Sequence, residues 1–291
     1  MYKMAEISLQ PTYKRQRFLL SYIRQLNESV SVTDIQKLIF LYTMKEKTEY
    51  YEFVPYRFGP YSFQLAEDIE ILCRGNYLAK DGSRVKAIGE YQHELLFTII
   101  SERGSKLIRK TYYEYPYYAI NSELISCLFS GDEADYFKNK RHIYSQQDQM
   151  LFTIGYEGKS VESFMNILIR NDIHLLCDVR KNPLSRKFGF SKNKLKHIAN
   201  TVGIKYVHIP ELGIESEKRT SLNSEYDYRC LFADYAKTLP KLKPYLEKFY
   251  SFLCADNRIA LMCYEKEPKM CHRHVVRDYL VRTYEMRCID L

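Results

Sequence analysis

The chain has 291 residues, of which 46% are hydrophobic and 27% are charged. This composition excludes a disordered or collagen-like protein, and the length suits two globular domains. No apolar run approaches the ~18 residues of a membrane helix, and no apolar leader is evident, so we expect no membrane partner. The eight cysteines include no CxxC pair, which favours free thiols and a cytoplasmic location.

Positive charge is concentrated in the second half of the chain. Residues 1–150 carry 20 Lys and Arg against 19 Asp and Glu, whereas residues 151–291 carry 24 against 17. Such a field favours nucleic acid, nucleotides or other phosphates as partners. The 27 tyrosines supply apolar area with a polar tip, which makes a homodimer through the N-terminal half plausible.

The first 115 residues predict a mostly helical domain. Apolar side chains at helical spacing predict helices that begin near Tyr13, Asp34, Ser62 and Ser101. Short strands are predicted at residues 76–78, 86–89 and 93–99. This order is typical of a winged helix, a fold that binds DNA or protein, and the near-zero net charge of this half leaves both partners open.

A resemblance becomes visible at residues 37–72, KLIFLYTMKEKTEYYEFVPYRFGPYSFQLAEDIEIL. The helix followed by Y-x-x-G-P-x-S resembles the Panacea-type antitoxin-like domains, over about residues 13–110. The resemblance implies a toxin–antitoxin or phage-conflict setting and brings no catalytic residues. Residues 145–149 are polar and predict the end of a linker, so we expect domains at 1–145 and 150–291.

From residue 150 onward, predicted strands alternate with helices. The strands are predicted at residues 151–154, 174–180, 204–209 and 259–263, and a helix over residues 272–285 ends the domain. This alternation predicts an α/β fold, with a three-layer, mainly parallel sheet. The mostly α winged-helix-like domain precedes it.

Polar residues collect at the predicted carboxyl ends of these strands, where ligands bind in parallel sheets. Glu157, Asp178, His208 and Cys263 each lie at or just after a strand end. The stretch from Arg180 onward is strongly basic and includes two phenylalanines, a combination that suits phosphate contact with base stacking. The alternative is that this basic stretch is an ordinary solvent-exposed surface without a ligand.

Four segments of this half, FTIGYEGKSVESF, LLCDVRKNPLSRKFGFSK, GIKYVHIPELG and IALMCYEKEPKMCHRHVV, resemble domain-of-unknown-function family 488 in order and spacing. The resemblance covers about residues 151–285 and implies no particular activity. The family's recurring positions match Gly155, Glu157, Asp178, Arg180, Pro183, Ser185, Arg186, Lys192, His208, Pro210, Leu212, Gly213, Cys263, Glu265, Cys271, His272 and Arg273.

Three catalytic candidates follow. Glu157 and Asp178 are predicted to act as the general acid and the general base. Cys271 is a candidate thiolate nucleophile, because its neighbours are cationic. Cys263 and Cys271 are equally interpretable as packing residues. A third interpretation makes them zinc ligands with His272 or His274, but the ligand spacing is irregular, so neither a metal nor a cofactor is predicted. The predicted phosphate- or nucleic-acid-binding residues are Tyr156, Lys159, Arg180, Ser185, Arg186, Lys192, His208, Glu265, His272 and Arg273.

These patterns together predict a protein that processes nucleic acid or a nucleotide. The leading hypothesis is a hydrolase or glycosidase-type enzyme on DNA, acting on damaged or modified bases or in phage defence. The segment from Gly155 to Ser160 lacks the spacing of a phosphate-binding P-loop, which argues against hydrolysis of nucleoside triphosphates. The alternative hypothesis is a non-catalytic sensor of a nucleotide or nucleic acid, coupled to the N-terminal module.

Overall fold

A computed structural model describes residues 10–89, 97–219, 222 and 224–291. The chain divides into two compact units, residues 1–137 and 138–291. Most of the strand predicted at residues 93–99 lies outside the described residues, and residues 97–99 form no strand. Among the described residues, none of the helices combines the length and apolar character that a bilayer crossing needs.

The N-terminal unit is mainly helical, as predicted. Its helices are α1 (Lys14–Leu26), α2 (Val32–Glu46), α3 (Phe63–Arg74), α4 (Gly104–Glu114) and α5 (Ile125–Leu128), and α6 (Gly131–His142) spans the division between the units. Its strands are β1 (Val30–Ser31), β2 (Val54–Tyr56), β3 (Gly59–Tyr61), β4 (Leu78–Asp81) and β5 (Arg84–Ala87). Strands β1, β5 and β4 form an antiparallel sheet in that order, and β2 pairs with β3.

Side-chain caps account for two of the helix starts. Helix α2 is capped by Ser31, whose hydroxyl accepts the Asp34 N–H at 3.0 Å, so it begins slightly before the predicted cap. Helix α3 is capped by Ser62, as predicted, through the Leu65 N–H at 3.2 Å. The sequence did not predict α5 and α6, whose apolar side chains pack with Phe129 and with Ile108 and Tyr112 of α4 in a small core.

The C-terminal unit is an α/β domain, which confirms the predicted fold class. Its strands are β6 (Met150–Gly155), β7 (Leu175–Asp178), β8 (Lys205–His208), β9 (Arg258–Cys263) and β10 (Cys288–Asp290). Its helices are α7 (Val161–Arg170), α8 (Lys192–Thr201), α9 (Glu225–Thr238), α10 (Lys243–Asp256) and α11 (Arg273–Tyr284). The strand order is β10-β6-β9-β7-β8, and every pair is parallel.

Three central strands, β6, β9 and β7, bring their carboxyl ends together. They are buried on both faces, as expected of a parallel sheet between helix layers. Gly155 is opposite Cys263, and Asp178 is opposite both Met262 and His208. The chain segments that leave these strands therefore begin side by side at one edge of the sheet.

Candidate functional site

A cleft of about 380 Å³ lies at the carboxyl ends of β6, β7 and β9. Six of the predicted site residues line it, namely Tyr156, Arg180, Ser185, Arg186, Glu265 and His272. The other lining residues are Lys181, Asn182, Leu184, Ile214, Arg219, Cys263 and Tyr264. The remaining predicted residues lie outside this lining: Glu157, Lys159, Asp178, Lys192, His208, Cys271 and Arg273.

Asp178 and Arg180 form a buried ion pair behind the cleft. The guanidinium of Arg180 donates to Asp178 Oδ2 from Nη2 at 2.6 Å and to Oδ1 from Nε at 2.9 Å. The Arg180 backbone N–H and the Tyr206 hydroxyl donate to the same carboxylate, at 3.0 and 2.7 Å. Burial alone would lower the pKa of Arg180, but hydrogen bonds and charge from Asp178 raise it above its ordinary value. Both carboxylate oxygens are therefore occupied by fixed donors.

The Nη1 atom of Arg180, which does not contact Asp178, holds the residues that form one wall of the cleft. Its Nη1 donates to the Phe190 carbonyl at 2.9 Å and to the Tyr156 hydroxyl at 3.1 Å. The rings of Tyr156 and Phe190 stack with their centroids 4.2 Å apart. Tyr264 contacts Tyr156 edge-on at 5.2 Å. One arginine thus ties the strand end of β7 to the aromatic residues after β6 and in the basic loop.

Two thiols and an imidazole converge at the end of β9 and the start of α11. Within the described chain, Cys263, Cys271 and His272 have their ligand atoms within 4.8 Å of one another, and all three residues are buried. The Nε2 of His272 lies 3.0 Å from the Val179 carbonyl, which can only accept, so Nε2 carries the proton. The lone pair of Nδ1 consequently faces the two sulfur atoms and Arg219.

Glu265 and Arg219 form the charged side of this cluster. Arg219 donates to Glu265 Oε1 from Nη1 at 2.7 Å and to His272 Nδ1 from Nη2 at 2.9 Å. The Cys263 thiol donates to Glu265 Oε2 at 3.4 Å. Burial alone would raise the pKa of Glu265, but the Arg219 charge and a hydrogen bond from Cys271 lower it. Glu265 is therefore an ionised carboxylate at neutral pH, and it lines the cleft.

Cys271 has the opposite environment to the one expected of a nucleophile. It is fully buried, and burial raises the pKa of its thiol well above the ordinary value, with neighbouring Cys263 adding to the rise. His272 opposes this shift without overcoming it. Cys263, which lines the cleft, is the thiol closer to any bound ligand.

Glu157 and Lys159 lie in the turn after β6 and do not line the cleft. Glu157 is exposed, and its Oε2 accepts the Lys266 backbone N–H at 2.9 Å. Lys159 donates to the Gly155 carbonyl at 2.9 Å, and burial together with neighbouring Arg273 lowers its pKa. Glu157 therefore supports the loop that carries Lys266, whereas Lys159 closes its own turn onto the end of β6.

The last three predicted residues make backbone contacts. Lys192 is exposed at the start of α8, and its N–H donates to the Pro183 carbonyl at 3.0 Å. His208 Nε2 donates to the Arg180 carbonyl at 2.8 Å. Arg273 is fully buried; its Nη2 donates to the Lys266 carbonyl at 2.8 Å and its Nη1 to the Glu265 carbonyl. Arg273 thus holds the loop after β9 in place and is shielded from a ligand.

The sequence did not predict Arg219 and Lys181 as cleft residues. Arg219 lies in a segment without helical or strand periodicity, so only the folded chain brings it to Glu265. Lys181 follows Arg180 in the basic stretch and pairs with Glu215 at 2.6 Å. Gly213 allows this arrangement, because a Cβ there would lie 2.4 Å from the Lys181 backbone nitrogen.

Gly155→Ala is expected to disrupt the cleft. A Cβ at Gly155 would lie 1.8 Å from the Glu265 carbonyl oxygen, so the backbone that carries Glu265 must move. We expect a loss of about 2–3 kcal/mol in the free energy of unfolding, typical of overpacking, measured by urea denaturation. Gly158→Ala is the control for added bulk in the same turn, because its Cβ would meet nothing within 4 Å, although its φ of 76° adds strain. Equal losses in the two variants would contradict this account.

A larger cavity, of about 720 Å³, lies between α9 and α11. Its lining combines apolar side chains such as Phe232 with scattered polar ones, and His274 is its one histidine among the described residues. It does not lie at the strand ends, and neither Glu265 nor a cysteine lines it. The smaller cleft therefore remains the candidate site.

Comparison with known families supports the resemblance of the C-terminal half. Residues 160–280 match the family model described as domain of unknown function DUF488. This range contains Asp178, Arg180, Cys263, Glu265 and His272. Neither the search of curated proteins nor the search of solved structures gave a match.

Proposed function

We propose that the C-terminal unit binds a phosphate-bearing ligand, a nucleotide or a nucleic-acid segment, in the strand-end cleft and hydrolyses it. The observation that carries this proposal is the pairing of cations with one ionised carboxylate. Lys181, Arg186 and Arg219 line the same cleft as Glu265. Cations attract and orient phosphates, and a positioned carboxylate activates water.

The rim of the cleft is suited to hold the ligand. Arg186 is exposed and makes no hydrogen bond or ion pair with any residue in the described ranges, so its guanidinium is available to a phosphate. Leu184 is 82% exposed and Tyr264 is 46% exposed. Apolar and aromatic surface beside cations is the combination that accommodates a base next to its phosphate.

Glu265 is the best-placed general base among the carboxylates considered. Asp178 is fully buried and does not line the cleft, and its carboxylate accepts bonds from Arg180, Tyr206 and the backbone. Glu157 is exposed and lies outside the cleft lining. Glu265 lines the cleft and is ionised, and Arg219 holds its orientation. We therefore assign the base to Glu265, with Asp178 as a positioning residue for Arg180.

A second candidate function is a sensor that binds the ligand without turnover. One observation favours it: both buried carboxylates at the site are already held by arginines, in the pairs Asp178–Arg180 and Glu265–Arg219. Such pairs give binding specificity without free acid/base groups. The N-terminal unit, with its resemblance to Panacea-type domains, would then relay binding to DNA or a partner protein in phage defence.

A panel of nucleotides, DNA and RNA tests the proposal on the full-length protein. Arg186→Gln is expected to weaken ligand binding about 10-fold, the value of one charge-assisted contact, whereas the control Lys243→Gln on α10 leaves it unchanged. Glu265→Gln is expected to retain binding and to lower turnover by about 10²–10⁴-fold.

Three results are decisive. Binding without turnover by the unaltered chain identifies the sensor. Turnover that survives Glu265→Gln removes Glu265 from the chemistry. Failure of every panel member to bind or to raise the melting temperature contradicts both functions.

A further inference from the structure

We propose that Cys263, Cys271 and His272 form a zinc-binding site, with the two Sγ atoms and Nδ1 as ligands and a fourth position beside Glu265. This site is a feature of the thiol–imidazole cluster and does not depend on the proposed hydrolysis. Thiolate and imidazole are the ligands that zinc prefers in proteins, and three protein ligands are typical of sites that keep one position open.

The distances from the imidazole nitrogen to the two sulfur atoms are close to those around a tetrahedral ion. His272 Nδ1 lies 3.7 Å from Cys263 Sγ and 3.9 Å from Cys271 Sγ. A tetrahedral zinc ion with bonds of ~2.3 Å to sulfur and ~2.0 Å to nitrogen separates such ligands by roughly 3.6 Å. Glu265 Oε2 lies 3.4 Å from Cys263 Sγ, close to the same spacing. Small side-chain movements would bring all of these atoms to bonding distance.

The orientation of His272 is the one that a zinc ligand requires. Its Nε2–H donates to the Val179 carbonyl at 3.0 Å, which fixes the tautomer and leaves Nδ1 as the acceptor facing the thiols. A backbone carbonyl is one of the common outer partners of a zinc-bound histidine, beside a carboxylate or water. His272 is 1% exposed, so its ring N–H needs a fixed partner, and the bond to the Val179 carbonyl leaves Nδ1 as the nitrogen that faces the thiols.

The charges around the site also balance a divalent ion. Two thiolates neutralise the ion, and Glu265 remains paired with Arg219 through Nη1 at 2.7 Å. Arg219 Nη2, which donates to Nδ1 at 2.9 Å, must withdraw for the ion to bind. Since Cys263 and His272 line the cleft, the ion would lie at its floor.

The test uses full-length protein that is fully reduced, stripped of metal and titrated with Co²⁺, a spectroscopic substitute for zinc. We expect saturation at one ion per chain, with the near-ultraviolet thiolate-to-cobalt band and the visible bands of tetrahedral cobalt. Cys263→Ser and Cys271→Ser should each weaken binding at least ~100-fold. Cys177→Ser, which removes another buried thiol on β7, is the matched control and should bind as the unaltered chain does.

X-ray absorption of the zinc-loaded, unaltered protein gives a second measurement that needs no variant to fold. Two sulfur ligands and one imidazole around the ion are expected. The absence of the charge-transfer band in reduced protein would overturn the proposal. So would cobalt binding that persists in both cysteine variants, or a zinc shell without sulfur.

Discussion

Replacing Asp178 with alanine is expected to lower the free energy of unfolding of the C-terminal unit by about 3–5 kcal/mol. The substitution removes the only anion that the structure places on Arg180 within the described residues. Arg180 is 5% exposed, so water solvates little of its charge, and Tyr206 also loses its hydrogen-bond acceptor. An unpaired buried charge is among the largest single destabilisations known in proteins. Urea denaturation of the full-length variant measures the loss.

A double variant that lacks both charges separates the loss of the ion pair from other effects of the substitution. The variant Asp178→Leu with Arg180→Met removes both charges and is expected to recover most of the stability lost in Asp178→Ala. Asp234→Ala breaks the exposed pair between Asp234 and Lys237 and should leave the unfolding midpoint unchanged. If Asp178→Ala unfolds at the same urea concentration as the unaltered chain, the pair does not hold the strand end of β7.

The same measurement distinguishes two roles for Asp178. A general base must reach the ligand, yet Asp178 is fully buried behind the cleft and does not line it. A positioning residue acts through Arg180, which holds the Phe190 carbonyl and the Tyr156 hydroxyl. We therefore expect the stability of the cleft wall and ligand affinity to fall together in Asp178 variants, whereas Glu265→Gln should change turnover alone.

The position of the strand-end cleft was predictable from the sequence because parallel sheets follow a simple geometric rule. The alternation of apolar strands with helices predicts the sheet, and the carboxyl edge then collects Tyr156, Arg180 and Glu265. Strand β10 escaped prediction because it has only three residues and its Ile289 is 46% exposed, so it lacks the buried apolar run of the other strands. Pairing with β6 alone defines it.

The roles of individual residues were less predictable, because they depend on partners distant in the chain. Glu157, Asp178 and Glu265 are equivalent carboxylates in the sequence. In the folded chain Glu157 is exposed and Asp178 pairs with Arg180. Glu265 pairs with Arg219, which is 46 residues away. The zinc-ligand spacing was irregular for a similar reason: Cys263 ends a strand, whereas Cys271 and His272 lie at the start of a helix. Irregular spacing in sequence does not prevent convergence in space.

Lys37 in helix α2 is expected to destabilise the N-terminal unit at neutral pH. It is 1% exposed, and its ammonium has one hydrogen bond among the described residues, to the Pro60 carbonyl at 3.4 Å. Burial lowers the pKa of Lys37 from 10.5 to about 7, and the charge of Asp34 opposes this only in part. Between these two pH values the unfolded chain binds more protons than the folded one, so the free energy of unfolding should rise with pH.

Lys37→Met should therefore stabilise the unit at pH 7 by about 2–4 kcal/mol, and it should flatten the rise between pH 7 and pH 9.5. Above pH 10 both proteins should lose stability, because burial raises the pKa of Tyr22 and Tyr112 to about 12. Unfolding is measured in urea at several pH values. A hydrogen-exchange pulse at one fixed pH then labels peptides from α2, so the measurement reports the unfolding of the N-terminal unit alone. Lys45→Met, an exposed change on the same helix, should keep the slope of the unaltered chain. A slope that persists in Lys37→Met would mean that another group carries the pH dependence.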